Sequence, residues 1–241
     1  MLPLLPLLLG ACTPTIEAPE EERLATVSHQ VNWESVTRLG PHRMELSATL
    51  DRASGSRTEG FSVLWGSWDD FEVTRSRDGR TTQDLRIISG VAWTSNDGHS
   101  FNPQRDAEIY RAELSTTWND WDRHLEPFLG GLVLESDRET VVEGRPAERY
   151  LISLDPEWKP AGRRADVPTS LSGHVTLDSA TGVRLLGQVE GHYLERGETD
   201  KPATLTVNLL RTEIGTVPTI PIPEETEDRP PRRKKGKKKE D

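Results

Sequence analysis

This sequence predicts a mainly β fold of the α+β kind: an antiparallel sheet with one main amphipathic helix packed on it. Three observations carry that expectation. Apolar and polar residues alternate with period two through most of the chain from Met44 onward, the pattern of half-buried strands. The alternating runs are separated by short turn signals such as Asp78-Gly79 and Asn96-Asp97-Gly98, and short connections mean antiparallel pairing, since a parallel crossover needs about a dozen residues or more. One stretch alone changes period. Between Asp106 and Leu132 the apolar residues Leu114, Trp118, Trp121, Leu125, Phe128 and Leu132 follow steps of four, three, four, three and four, which is one stripe of a helix.

Before the sheet, residues 24–39 hold one or two short helices, ended by Gly40-Pro41. Met44, Leu46, Ala48 and Leu50 then alternate with Glu45, Ser47 and Thr49 as a first strand. Phe61, Val63 and Trp65 make a second, and Phe71 and Val73 a third that stops at Asp78-Gly79. Leu85 with Ile87 and Val91 with Trp93 form a further pair of segments. In the helical stretch Pro127 forces a kink or restart near Glu126, and Gly130-Gly131 provides the stop. Its stripe must lie on the sheet, because nothing else is present to cover it. Strands follow at 140–142, 150–154, 171–177, 183–194 and 205–214.

The chain has 241 residues, 33% of them hydrophobic and 29% charged, with net charge −10. That length suits one domain with tails, and seven Trp together with scattered Leu, Ile and Val suffice for a core. No run of about eighteen apolar residues occurs, so no transmembrane helix is expected. A single Cys excludes an intrachain disulfide and a Cys-rich zinc site.

The first residues read Met-Leu-Pro-Leu-Leu-Pro-Leu-Leu-Leu-Gly-Ala-Cys. The apolar run is too short to span a bilayer and has the length of an export-signal core. Leu9-Gly10-Ala11-Cys12 resembles the lipobox of bacterial lipoproteins. The resemblance implies cleavage after residue 11 and acylation of the Cys12 thiol, and it accounts for both the lone Cys and its position. Thr13 in place of Asp implies the outer membrane, facing the periplasm. Residues 12–23 then read as the acylated Cys and a polar, acidic, Pro-containing tether, and residues 24–223 as the folded body.

Residues 224–241 reverse the charge. They carry eight cations, Arg229, Arg232, Arg233, Lys234, Lys235, Lys237, Lys238 and Lys239, and six acids, which leaves 22 basic and 34 acidic residues elsewhere, a net −12. Like charges repel and nothing apolar is available to bury, so this tail is expected to be disordered. An anionic surface is the partner such a run would meet, and a purely solvated tail is the plainer reading. No aromatic residue interleaves with the cations, so single-stranded nucleic acid is not an expected partner.

Two stretches resemble the LolA/LolB/LppX-like lipoprotein-carrier superfamily. One is Glu139-Thr140-Val141-Val142-Glu143-Gly144-Arg145-Pro146-Ala147-Glu148-Arg149-Tyr150-Leu151-Ile152, a strand, turn and return strand after the helical segment. The other is Ser172-Gly173-His174-Val175-Thr176-Leu177-Asp178-Ser179-Ala180-Thr181-Gly182-Val183, in which Asp178 can cap the turn through its side chain and Gly182 supplies a positive φ. The resemblance implies a curved antiparallel half-barrel with helices on its concave face, and acyl chains or lipids as cargo. The residues expected to line that face are Phe61, Val63, Trp65, Ile87, Trp93, Tyr150 and Ile152, opposite Trp118, Trp121 and Leu125 of the helix.

Catalytic patterns are missing. The sequence has no HExxH, GxSxG, SxxK or phosphate-binding glycine loop. Asp69 and Asp70, adjacent on a strand, point to opposite faces and make no carboxylate pair. Asp122, one residue past Trp121, is expected on the solvated side of the helix. His174 and His192 could face each other on neighbouring strands. No enzyme, cofactor or metal is therefore expected, and the chain is read as a monomer. The alternative to a lipid carrier is an envelope scaffold or interaction module with a filled core and no small-molecule ligand.

Overall fold

The computed structural model describes residues 33–104, 107–111, 120–160, 166–195 and 201–223. Cys12, Trp118 and the basic tail lie outside the described residues. A short helix, Trp33–Leu39, buries Val36 and Leu39, one turn apart. It ends at Gly40, whose φ of 87° is a left-handed C-terminal stop.

Among the described residues eleven strands follow: β1 His42–Arg52, β2 Gly55–Ser67, β3 Asp70–Arg77, β4 Arg80–Ile88, β5 Val91–Ser95, β6 Asn102–Gln104, β7 Leu132–Val142, β8 Arg145–Leu154, β9 Val167–Asp178, β10 Arg184–Leu194 and β11 Pro202–Thr212. All pairs are antiparallel, in the order β6-β5-β4-β3-β2-β1-β11-β10-β9-β8-β7. Two meanders are thus joined through β1 and β11, and the sheet is not closed into a barrel. An open antiparallel sheet with a helical segment on one face is the architecture the two turn motifs imply. The short edge strand β6 is an addition to the expected set.

Turn chemistry sets the register. Asp78-Gly79 (φ 51° and 75°), Ser89-Gly90 (51° and 78°) and Glu143-Gly144 (51° and 76°) are two-residue turns with both φ positive, the type whose twist matches paired strands. The Asp78 carboxylate also accepts the Thr58 amide at 2.9 Å, and that of Asp70 accepts Ser89 at 2.9 Å.

The same register stacks the core residues. Leu46 opposes Phe61 and Leu209, Val63 opposes Val73, and Phe71 opposes Ile87. The Ser89-Gly90 turn pairs Ile87 with Ala92, so Ala92 faces the core and Trp93 the opposite face. Trp93 is therefore removed from the inward-facing set: the bulkier side chain of the pair points away because the two-residue turn, not side-chain size, decides the alternation.

On the core face the chain runs as a helix over Asp120–Leu125 and as a 3₁₀ helix over Glu126–Gly131. Pro127 stands at the change, as its missing N–H and fixed φ require. Two rings of this segment sit over glycines of β10. A Cβ on Gly187 would lie 2.5 Å from the Trp121 ring, and one on Gly191 2.5 Å from Phe128. Gly187→Ala is expected to cost about 1–3 kcal/mol, the usual range for overpacking. Urea unfolding of the single variant and of Gly187→Ala with Trp121→Ala checks this, since the second change should relieve the first.

Candidate functional site

Side chains that share the core face change character along the strands. On β2 the row runs Trp65, Val63, Phe61, Glu59, Arg57. On β3 it runs Phe71, Val73, Arg75, Arg77, and on β1 Met44, Leu46, Ala48, Leu50, Arg52. One end of the face is apolar and buried beneath the helical segment. The other end opens beyond it and becomes charged.

The opening is a cleft of about 460 Å³ between the helical segment and β1, β2, β10 and β11. Its apolar floor is Ala48, Leu50, Tyr193 and Leu205, with Pro127 on the wall. Charged groups stand at the rim. Arg52 bridges Glu195 at 2.7 Å. Burial pushes the Tyr193 phenol up, partly offset by the hydrogen bond and charge of Arg52.

At the rim nearest β3, Glu59 gathers the cations. It takes hydrogen bonds from Arg57 and, at 2.9 Å, from Arg123, while Arg77 stands 3.9 Å away and His124 4.0 Å away. Burial raises the Glu59 carboxyl, but the charges of Arg57, Arg123 and His124 outweigh it, and its pKa lies below the ordinary value. A second hollow of about 120 Å³, lined by Glu59, Arg75, Arg77, Thr82, Arg123 and His124 among others, continues from this rim.

Phe61, Val63, Trp65, Ile87, Trp121, Leu125, Tyr150 and Ile152 are all buried within the core cluster. They pack the apolar end of the face, and the open cleft is formed by other residues. Leu50, Tyr193 and Leu205 come from three separate strands, so only the β1–β11 and β10–β11 pairings bring them together. The cationic rim had a local signal, the arginines at 57, 75 and 77 that continue the inward alternation of β2 and β3.

Asp122 differs from its expected place on the solvated side. Its carboxylate lies 3.1 and 3.5 Å from the two terminal nitrogens of the Arg184 guanidinium, a side chain only 1% exposed, and that guanidinium also stands 5.8 Å from the Trp121 ring centre. A buried cation needs such a partner, so Asp122 ties the helix to β10. The two histidines do not meet: His174 opposes Gln188 and His192 opposes Ser170, and His192 instead hydrogen-bonds Thr204 at 3.0 Å. Among the described residues no group of three His, Cys, Asp or Glu could hold a metal ion, and no helix is long and apolar enough to cross a membrane.

No protein-family model and no curated protein matches this chain. Among solved structures it is similar to MucB in complex with MucA(peri), at 14% identity over 79% of this chain and 56% of that one, TM-score 0.28. The MucA/MucB complex of Pseudomonas aeruginosa is matched at 16% identity over 83% of this chain and 57% of that one, TM-score 0.28. The chain therefore spans little more than half the length of these MucB chains. A LolA superfamily protein of Nitrosomonas europaea is matched at 10% identity over 81% of this chain and 94% of that one, TM-score 0.24.

Proposed function

We propose that this chain is an exported protein, anchored in the outer membrane through acylated Cys12, whose sheet domain holds the acyl chain of an amphiphile and performs no catalysis. The observation that supports this is the cleft of about 460 Å³ with an apolar floor of Ala48, Leu50, Tyr193 and Leu205. It falls in the size range of small-molecule sites, and covering such a floor with an alkyl chain releases roughly 25 cal/mol per Å² of apolar surface. Phe61, Trp65, Tyr150 and their neighbours pack the adjoining end of the same face in this reading.

Interaction without a small ligand is the second reading. A trough of about 560 Å³ on the opposite face, lined by Ser47, Ser62, Thr74, His174, Gln188 and Asn208 among others, favours it.

Native mass spectrometry of the full-length chain beside Cys12→Ser and Leu50→Trp, each extracted gently from membranes, separates these readings. The expected result is a covalent diacylglycerol on every form except Cys12→Ser. A second, non-covalent lipid should appear on wild type and Cys12→Ser. It should fall about tenfold in Leu50→Trp, where the indole fills the cleft, a loss of about 1.4 kcal/mol. Covalent lipid with no bound lipid turns the reading to an interaction module. No lipid on any form removes the anchor as well.

A further inference from the structure

We propose that the arginine cluster around Glu59 binds the phosphate group of an anionic amphiphile whose chain lies in the adjoining cleft. The inference rests on the cleft reading above and adds the chemistry of the headgroup.

Three features carry it. First, the charge runs against the rest of the molecule. Outside residues 224–241 the chain has 22 basic and 34 acidic residues, yet the hollow beside Glu59 brings Arg75, Arg77, Arg123 and His124 to one carboxylate among the described residues. Arg77 and Arg123 both draw on the Glu59 carboxylate, at 3.9 and 2.9 Å, and Arg57 hydrogen-bonds it as well. The acids of the wider rim, Glu126 and Asp166, line the larger cleft and not this hollow.

Second, the hollow is small. About 120 Å³ is room for roughly four waters, which suits one tetrahedral oxyanion. Guanidinium groups match phosphate oxygens through paired N–H donors, which makes arginine the side chain for such a site. Thr82 adds a hydroxyl to the lining.

Third, hollow and cleft are continuous. Glu59, Arg123 and His124 line both, so a molecule lying on Leu50 and Leu205 would present its polar end to the arginines. Glu59 accepts from Arg123 at 2.9 Å and stands 3.9 Å from Arg77; a bound phosphate would compete with it for both. This makes Glu59 an internal stand-in for the anion, and its removal should strengthen binding.

Titration calorimetry on the full chain carrying Cys12→Ser, which avoids detergent, tests the proposal. The probes are palmitoyl lysophosphatidic acid, monopalmitoylglycerol with the same chain and no phosphate, and inorganic phosphate. Lysophosphatidic acid should bind at least tenfold more tightly than monopalmitoylglycerol. Arg75→Gln with Arg77→Gln, which line the hollow and not the cleft, should abolish that difference and leave monopalmitoylglycerol unchanged, and Glu59→Gln should tighten lysophosphatidic acid by several-fold.

Equal binding of the two lipids, insensitive to the arginine variants, overturns the headgroup site and leaves the cleft reading intact. Inorganic phosphate binding with the same arginine dependence, while neither lipid binds, overturns the amphiphile and leaves a free-phosphate site. No binding by any probe overturns both readings. Thermal unfolding of each variant shows that the fold has survived.

Discussion

Asp178→Ala is expected to lower stability by about 3–5 kcal/mol, the cost of breaking a buried charge pair from one side. The carboxylate is 1% exposed and has no spare capacity. Oδ1 accepts Arg145 Nε at 2.7 Å, and Oδ2 accepts Arg145 at 3.1 Å, the Thr181 amide at 2.9 Å and the Thr181 hydroxyl at 2.7 Å. The arginine sits immediately after the Glu143-Gly144 turn, and the carboxylate opens the turn that Gly182 (φ 70°) closes. One side chain therefore holds the β7–β8 hairpin against the β9–β10 hairpin, reinforced by Ser179 N donating to Pro146 O at 3.0 Å. Alanine leaves a guanidinium and the buried Thr181 donors without that acceptor. Arg145→Ala should cost less, because the Arg145 side chain is 31% exposed and the turn bonds to Asp178 survive. Denaturant unfolding of both variants checks the order. Equal losses would mean that the turn bonds add nothing to the ion pair.

That interaction also shows what was legible in the sequence. Both turns were readable from their own residues, because Gly144, Asp178 and Gly182 act within a few positions of themselves. The pairing of Arg145 with Asp178, 33 residues apart, was not, since it depends on β8 lying beside β9. The strands were legible for a similar reason: alternation is local, and the two-residue turns hand the alternation on from strand to strand. Trp93 marks where this failed. A large indole two residues after Val91 looked inward, but the Ser89-Gly90 turn had already assigned the core face to Ala92. The helical stripe was legible through Trp121, Leu125 and Phe128. The glycines that receive it, Gly187 and Gly191, carry no side chain and leave no apolar signal.

The candidate site follows the same division. Its cationic rim continues an alternation that runs along β2 and β3, while its floor is assembled by the long-range β1–β11 pairing. Asp122 and Arg184 likewise show how composition misleads at one residue: a carboxylate beside a core tryptophan looks solvated until the opposing strand supplies a buried cation.

His42 gives the second large expected effect, a loss of stability in mild acid. Its ring is 0% exposed at the start of β1. Nδ1 lies 2.9 Å from the Gly40 carbonyl, which can only accept, and Nε2 lies 3.3 Å from Arg211 Nε, which can only donate. Nδ1 therefore carries the proton and Nε2 presents its lone pair to a buried cation. A second proton would have to enter on Nε2, directly against the Arg211 N–H. Burial, then the charge of Arg211, lowers the His42 pKa to about 3, against a smaller opposing effect of Gly40. Because the unfolded chain accepts this proton near pH 6.5 and the fold does not, the stabilisation from a neutral His42 is complete above pH 6.5. It is lost as pH falls toward about 3, at about 1.4 kcal/mol per pH unit. Between pH 6.5 and 4.5 the loss is about 2–3 kcal/mol. His42→Gln keeps a donor for Gly40 and an acceptor for Arg211 but does not titrate, so its stability should be flatter by that amount over the same range. Denaturant midpoints of wild type and variant at pH 7, 5.5 and 4.5 decide it: parallel curves would mean that the ring is protonated in the folded state, and that Arg211 moves aside to allow it.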